Sequence, residues 1–320
     1  VVGDPERIKK HLPGTRVLPA RTTSISAREQ LELPLVLYRH RVDLFHATLF
    51  VAPALYHRPY VLTLHDVNYL ALPQLYGRHR EVYFRTAVRL FATRARAVLT
   101  VSEFSRREIE QRLHVPAERI DVVYNGVDAR FSPAPAAQVE ALRERRGLPA
   151  EYLLYVGSFV PHKNVPLLLA AYARLSGAPP LVLCGRHPET VKPHVERLGL
   201  ARRVVLLDGA GDDELPALYS GATAFVFPSR YEGFGLPPLE AMACGTPTLV
   251  SNAGSLPEVT GGAARLFDPD DDVTLARQLE QVLGSPSLRA ELALAGRVRA
   301  AQFSWQNAVA RHAALYRRAA

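Results

Sequence analysis

The feature that most constrains this chain is an alternation of short apolar runs with longer amphipathic stretches along most of its length. VDLFHA (42–47), YVLTLHD (60–66), AVLTVS (97–102) and IDVVYNG (120–126) are runs of this kind in the first half. YLLYVGS (152–158), PLVLCGR (180–186), VVLLDG (204–209), AFVFPS (224–229) and TLVSN (248–252) repeat the theme in the second. A strand buried on both faces reads as a near-continuous hydrophobic run, and the amphipathic stretch after it reads as the crossover helix that parallel pairing requires. The pattern therefore predicts an α/β chain. FSPAPAAQ (131–138), rich in proline and alanine, reads as a linker between the halves. The expected architecture is two doubly wound, Rossmann-like parallel-sheet domains facing a central cleft. Residues 1–134 form the first and 135–302 the second, and a terminal helix over 303–320 packs back on the first. A chain of 320 residues with 48% hydrophobic content can bury two cores of this size.

Each second-half run ends in Gly, Ser, Asp, Asn or Arg, and in open α/β sheets ligands bind at the carboxyl ends of strands. The run AFVFPS leads into YEGFGLPPLEAMACGTP (231–247), where a Gly-Phe-Gly turn is followed by a helix with proline near its start and a stop at Gly245. Such a turn presents free backbone N–H groups, aided by the helix dipole, to a phosphate-sized anion. Glu240, expected in the first helical turn, can accept hydrogen bonds from the vicinal hydroxyls of a ribose. Glu232, before the turn, can do the same for a second sugar. Each feature alone is commonplace, since a first-turn acid is often only a dipole partner, but together they describe a nucleoside diphosphate sugar lying along a helix start.

The spacing of Glu232 and Glu240 resembles the E-x7-E motif of retaining glycosyltransferases with the GT-B fold. The wording EGFGLPPLEAMACGTP followed by SNAGSLPEV (251–259) is similar to family 4 of those enzymes. LTLHD (62–66), VSEFSRREI (101–109), YNGVD (124–128), YVGSFVPHKN (155–164) and FSWQNAVARHAALYRR (303–318) extend the resemblance in place and order. The resemblance implies that Glu240 holds the donor ribose and Glu232 the transferred hexose. It also implies that the turn Gly233, Phe234, Gly235 and Leu236 cradles sugar and phosphate, with the amides of Phe234, Gly235 and Leu236 as donors. Lys163 resembles the lysine that neutralises the diphosphate, and its ammonium would stabilise charge on the leaving group. His65, at the end of a strand, matches a histidine that contacts the donor sugar. Many relatives carry arginine where this chain has Ser158, which leaves Arg186 as the nearest substitute for a second positive charge.

The reaction so implied is transfer of a hexose, with retained anomeric configuration, from a nucleotide diphosphate sugar to a glycan or lipid-linked acceptor. The leaving phosphate helps to deprotonate the acceptor, so no side chain need be a general base. The wording resembles the mannosyltransferases of the family, which makes GDP-mannose the first expectation for the donor. No cofactor and no metal are expected, since lysine and helix amides can manage the diphosphate.

Charge and composition bound the alternatives. Residues 1–135 carry 20 basic and 13 acidic side chains, whereas residues 136–320 carry 19 and 18, so the basic excess lies in the first half. Nucleic acid, a phospholipid surface and a phosphorylated substrate all satisfy such a charge. Arg78, Arg85, Arg89 and Arg96 recur on one stripe of a helix, with Tyr83, Ala87, Leu90 and Phe91 expected on another face. That stripe is read either as a solvated edge or as a contact with an anionic membrane surface. A basic nucleic-acid-binding protein is the non-enzymatic alternative, and no helix-turn-helix, RNP or zinc pattern supports it. A degenerate GT-B scaffold is a third, disfavoured by retention of both glutamates and Lys163. The absence of Gly-x-Gly-x-x-Gly after any strand argues against a nicotinamide enzyme. With no apolar run of eighteen residues, and only Cys184 and Cys244 as thiols, the expected location is the cytoplasm, with peripheral contact at the inner face of the membrane. The chain opens VVGDP, where members of the family begin earlier with a strand and a Gly-rich loop. The expectation is a first domain whose sheet lacks that strand.

Overall fold

A computed structural model describes residues 2–3, 14, 16–19 and 28–320. By contacts the chain divides into two compact units. Unit 1 is residues 1–101, 106–123 and 310–320, and unit 2 is residues 102–105 and 124–309.

Unit 1 holds a four-stranded, all-parallel sheet of β3 (Phe45–Ala47), β4 (Tyr60–Thr63), β5 (Ala97–Thr100) and β6 (Ile120–Val122), in that order. The backbones of β1 (Val2–Gly3) and β2 (Leu18–Pro19) form a separate parallel pair. Most residues between them lie outside the described residues, as does the region on which the expectation of a missing first strand falls. Every residue of β4 and β5 is buried, as the unbroken apolar runs require. Residues from Ala310 onward, the end of the helix Trp305–Ala319, belong to this unit. They are tied down by Arg318 on Asp121 (2.5 Å) and by the Tyr316 hydroxyl on Nδ1 of His46 (2.6 Å), whose Nε2 meets Thr63 Oγ1 at 2.7 Å. Burial, with His312 and then His65 nearby, lowers the His46 pKa to about 4, so this imidazole is neutral at neutral pH.

Arg78, Arg85 and Arg89 of the basic stripe lie on a helical stretch that is α-helical over Arg78–Tyr83, π-helical over Phe84–Val88 and α-helical again over Arg89–Arg94, whereas Arg96, expected on the same helix, lies beyond its end. Arg78, Arg85, Arg89 and Arg96 are exposed, and Arg85 pairs with Glu81 at 2.9 Å. Leu90, expected on the packed face, is instead 47% exposed. The π turn adds a residue to the repeat and rotates the helix beyond it, so that Val88 and Phe91 point inward in place of Leu90.

Unit 2 is built on a six-stranded parallel sheet. Its strands are β7 (Leu153–Val156), β8 (Leu181–Gly185), β9 (Val204–Asp208), β10 (Ala224–Phe227), β11 (Thr248–Ser251) and β12 (Arg265–Phe267), in the order β12-β11-β10-β7-β8-β9. Strand β12 was not among the apolar runs of the sequence, because Arg265 within it and Asp268 after it leave only Leu266 and Phe267 as a contiguous apolar pair. From β7 the chain winds outward through β8 and β9, then returns to the far side of β7 to lay down β10. The topological switch point therefore lies between β7 and β10. Helices cover the sheet with local chemistry at their starts: Asp271 caps Asp272–Gly284 through the N–H of Thr274, and Ser285 caps Pro286–Ala300 with proline at the first position.

The boundary at 123/124 differs from that expected at 134/135. The segment read as a linker packs: Phe131 meets the Tyr219 ring at 6.0 Å, the Ala134 N–H bonds Ser220 Oγ at 2.9 Å, and Ala136–Arg146 is helix. Its prolines terminate and cap structure here; they do not mark a mobile joint. Cys184 and Cys244 are buried free thiols, pushed up by burial to about 11 and about 12. No described helix is long and apolar enough to cross a membrane.

Candidate functional site

The loops leaving β7 and β10 flank the switch point of unit 2, and both expected glutamates and the lysine belong to the segments beyond these strands. After β7 the backbone bends at Gly157 and reaches a short 3-10 turn, Pro161–Lys163. The loop is fastened to the segment after β10, because the carbonyl of His162 accepts from the Arg230 N–H (2.8 Å) and the Ser229 hydroxyl (3.2 Å). Asn164, in the left-handed region, anchors its far side by donating to the carbonyl of Pro269 at 2.8 Å.

This fastening brings Lys163 Nζ to 2.6 Å from Glu232 Oε1, with the two side chains only 17% and 13% exposed. The same ammonium stands 5.1 Å from the Phe227 ring centroid. A lysine and a glutamate withdrawn this far from water are held by each other, since an unpaired charge there would carry most of its desolvation cost.

Glu232 opens the turn, which is hemmed in at two glycines. A Cβ on Gly254 (φ 62°) would lie 2.7 Å from the Glu232 nitrogen, and one on Gly235 (φ 104°) would lie 2.7 Å from Leu256 Cδ2. Only glycine fits either position. Gly235 is the N-cap of the helix Leu236–Ala243, so Leu236 is the first helical residue. Pro237 and Pro238 have no N–H, which leaves the amides of the turn and of Leu236 as the donors presented at this helix start. Glu240, expected in the first turn, is the fifth helical residue and therefore sits in the second. The helix begins one residue before the prolines that the sequence reading took as its start.

Glu240 Oε2 accepts from the hydroxyl of Tyr219, a fully buried ring, at 2.9 Å. Burial raises the Glu240 pKa; the Tyr219 hydrogen bond pulls it down, Asp212 raises it, and Arg130 lowers it. Arg130 is itself held by Asp128 (3.0 Å) and Asp212 (3.6 Å). Tyr219 lies in LPALYS, where nothing in the sequence singles it out.

Ser158 and Arg186 are exposed residues two positions beyond Val156 and Cys184, which are paired between β7 and β8. They are thus neighbours in register at the ends of adjacent strands. His65 comes after β4 in unit 1, with an exposed edge. The protein around the rest of the ring lowers its pKa by desolvation, partly offset by Asp66 and by a hydrogen bond to the backbone of Thr48. The structure therefore gathers Lys163 with Glu232, and the turn with Glu240 on its helix; it sets Ser158 beside Arg186 and leaves His65 in the other unit.

Comparison with known proteins gives this geometry its context. The model of the Glycosyltransferase Family 4 domain matches residues 3–131, and that of the Glycosyl transferases group 1 domain matches residues 139–299. Among solved structures, Anabaena Alr3699/HepE in complex with UDP-glucose superposes with a TM-score of 0.82 at 22% identity, over 97% of this chain and 88% of that one. The two parallel α/β sheets are those of the GT-B fold. O-antigen chain mannosyltransferase B of Escherichia coli is 35% identical over 272 residues, 82% of this chain and 71% of the relative. The serotype-specific mannosyltransferase WbdA of Escherichia coli is 36% identical over 225 residues, 67% of this chain but only 28% of WbdA. The chain belongs to the group 1 glycosyl transferases.

The Lys163–Glu232 contact is measurable without any ligand. A double-mutant cycle with Lys163→Met and Glu232→Gln, monitored by urea on the transition that unfolds unit 2, is expected to give a coupling energy of roughly 0.5–3 kcal/mol. A coupling within error of zero would show that the two charges do not hold each other.

Proposed function

We propose that the chain transfers a hexose from a nucleoside diphosphate sugar to a glycan or lipid-linked acceptor with retention of anomeric configuration, and that unit 2 houses the donor. The observation that carries this reading is the constellation at the switch point. A turn with outward amides is bracketed by Glu232 and Glu240, and Lys163 stands on Glu232. In this reading the diphosphate lies on the amides of Phe234, Gly235 and Leu236. Lys163 exchanges its carboxylate partner for the phosphate oxygens and stabilises the charge that grows as the glycosidic bond breaks. Glu232, released from Lys163, accepts a hydroxyl of the hexose. Glu240, already held by Tyr219, accepts the ribose hydroxyls through its remaining lone pairs. Arg186 supplies the second positive charge that Ser158 cannot. The leaving phosphate takes the acceptor proton on the same face, so the protein's share is positioning and electrostatics, without a metal.

The donor is GDP-mannose in this proposal. The support is that several relatives of this chain are named mannosyltransferases. Two of them are named O-antigen chain mannosyltransferases, which supports a glycan or lipid-linked acceptor here. The structural neighbour with UDP-glucose supports a nucleotide sugar as the donor class. A thermal-shift series in EDTA tests the donor reading. GDP-mannose at a hundred times its Kd should stabilise by about 2.7 kcal/mol, more than UDP- or ADP-sugars at equal concentration, and Glu240→Gln should reduce the shift. No stabilisation by any nucleotide sugar, or stabilisation only on adding a divalent ion, would contradict it.

We further propose that unit 1 contacts an anionic membrane surface through the stretch Arg78–Arg94. Val82 and Leu90, 56% and 47% exposed, stand there among the exposed Arg78, Arg85 and Arg89, the mixture of apolar and cationic side chains that suits a headgroup layer. The protein should sediment with phosphatidylglycerol vesicles at low salt and release as salt rises, and Val82→Ser with Leu90→Ser should weaken binding. Equal sedimentation with neutral vesicles, or none with anionic ones, would refute the contact.

A further inference from the structure

Three successive carbonyls of the turn are occupied by serines. Glu232 O accepts the Ser255 N–H (3.2 Å) and its hydroxyl (3.0 Å), while Phe234 O accepts that same hydroxyl at 2.8 Å. Gly233 O, between them, accepts the hydroxyls of Ser102 (2.7 Å) and Ser105 (3.2 Å), which belong to the same unit. All three serines are fully buried. Ser102 Oγ accepts the Ser105 N–H at 3.0 Å, which leaves its own hydrogen for Gly233 O.

A trans peptide is planar, so a carbonyl that points one way sends the N–H of the next residue the other way. No described peptide bond is cis. With Glu232 O, Gly233 O and Phe234 O drawn to the serines, the N–H groups of Gly233, Phe234 and Gly235 are turned away from them. These three amides have no protein acceptor among the described residues. A backbone N–H without a protein partner takes its acceptor from outside, from water or a ligand. The segment that carries Ser102 and Ser105 is held in turn by the Glu258 carboxylate. That group accepts the N–H of Glu103 (2.7 Å), the N–H of Phe104 (2.9 Å) and the hydroxyl of Tyr124 (2.9 Å).

We propose that Ser102, Ser105 and Ser255 are positioning residues that fix the peptide planes of the Glu232–Gly235 turn so that its amides receive the donor's diphosphate. The proposal rests on the donor-site reading and adds to it the groups that orient the cradle without touching the ligand. Substituting them removes no donor from the anion; it lets the peptides rotate. The loss should therefore fall on the diphosphate and spare the nucleoside, whose ribose is held by Glu240.

The test uses inorganic pyrophosphate and guanosine as separate probes on the full chain, with the ¹⁵N amide resonances of Phe234 and Gly235 as reporters. Ser255→Ala is expected to weaken pyrophosphate by about two- to tenfold, the worth of one hydrogen bond, to shrink the pyrophosphate-induced shift of the Gly235 amide, and to leave guanosine affinity unchanged. Ser105→Ala is a milder variant, since Gly233 O keeps the Ser102 hydroxyl; it should act in the same way on the Phe234 amide, and it decides the matter if Ser255→Ala does not fold. Variants that melt earlier yet bind pyrophosphate with unchanged affinity and unchanged amide shifts would overturn the positioning role alone. A wild-type protein that binds neither pyrophosphate nor guanosine would overturn the donor-site reading and this proposal with it.

Discussion

The return of the chain to the far side of β7 is the constraint on which the rest of unit 2 depends. A parallel sheet wound first one way and then the other leaves a crevice at the carboxyl ends of the two strands where winding reverses, here β7 and β10. The chain places its special residues beyond those two strands. Lys163 lies after β7, and Glu232, the turn and Glu240 lie after β10. Their 2.6 Å ion pair closes over the switch point and the His162 carbonyl fastens the two loops beneath it.

The same constraint explains the cost of the site and how it is met. Two carboxylates and an ammonium stand in partly dry surroundings, where each would be unfavourable alone. Each has a partner inside the protein: Lys163 for Glu232, and the Tyr219 hydroxyl for Glu240, whose pKa burial still raises. The turn satisfies its carbonyls within the protein but not its amides. Its carbonyls go to serines and its amides are left for something else, which is why glycine is needed at Gly235 and Gly254 to let so tight an arrangement fit.

Much of the fold was legible because parallel strands buried on both faces leave a signal that is local and continuous. All nine apolar runs contain strands. Strand β12 escaped because Arg265 and Asp268 interrupt its apolar pattern, and FSPAPAAQ misled because proline that precedes a packed helix looks the same in sequence as proline in a linker. Leu90 was placed on the wrong face because a π turn changes the helical repeat, and no residue type announces one. In the candidate site, glycine, proline and the two glutamates carried their chemistry in their spacing, although Glu240 sits one turn further along its helix than that spacing suggested. The partners were not legible. Lys163 and Glu232 lie 69 residues apart, Ser102 and Gly233 131 apart, and Tyr219 is a tyrosine in an ordinary helix. Serines that bond carbonyls look like any other buried serine until the turn they hold is seen.

The central claim is that the turn between Glu232 and Glu240 receives a nucleoside diphosphate, and a crystal structure of the chain with GDP tests it most directly. The account predicts phosphate oxygens at about 3 Å from the nitrogens of Phe234 and Gly235, with Lys163 Nζ moved from Glu232 to the diphosphate and the ribose on Glu240. GDP bound elsewhere, with the Lys163–Glu232 pair intact and the turn amides unoccupied, would contradict it.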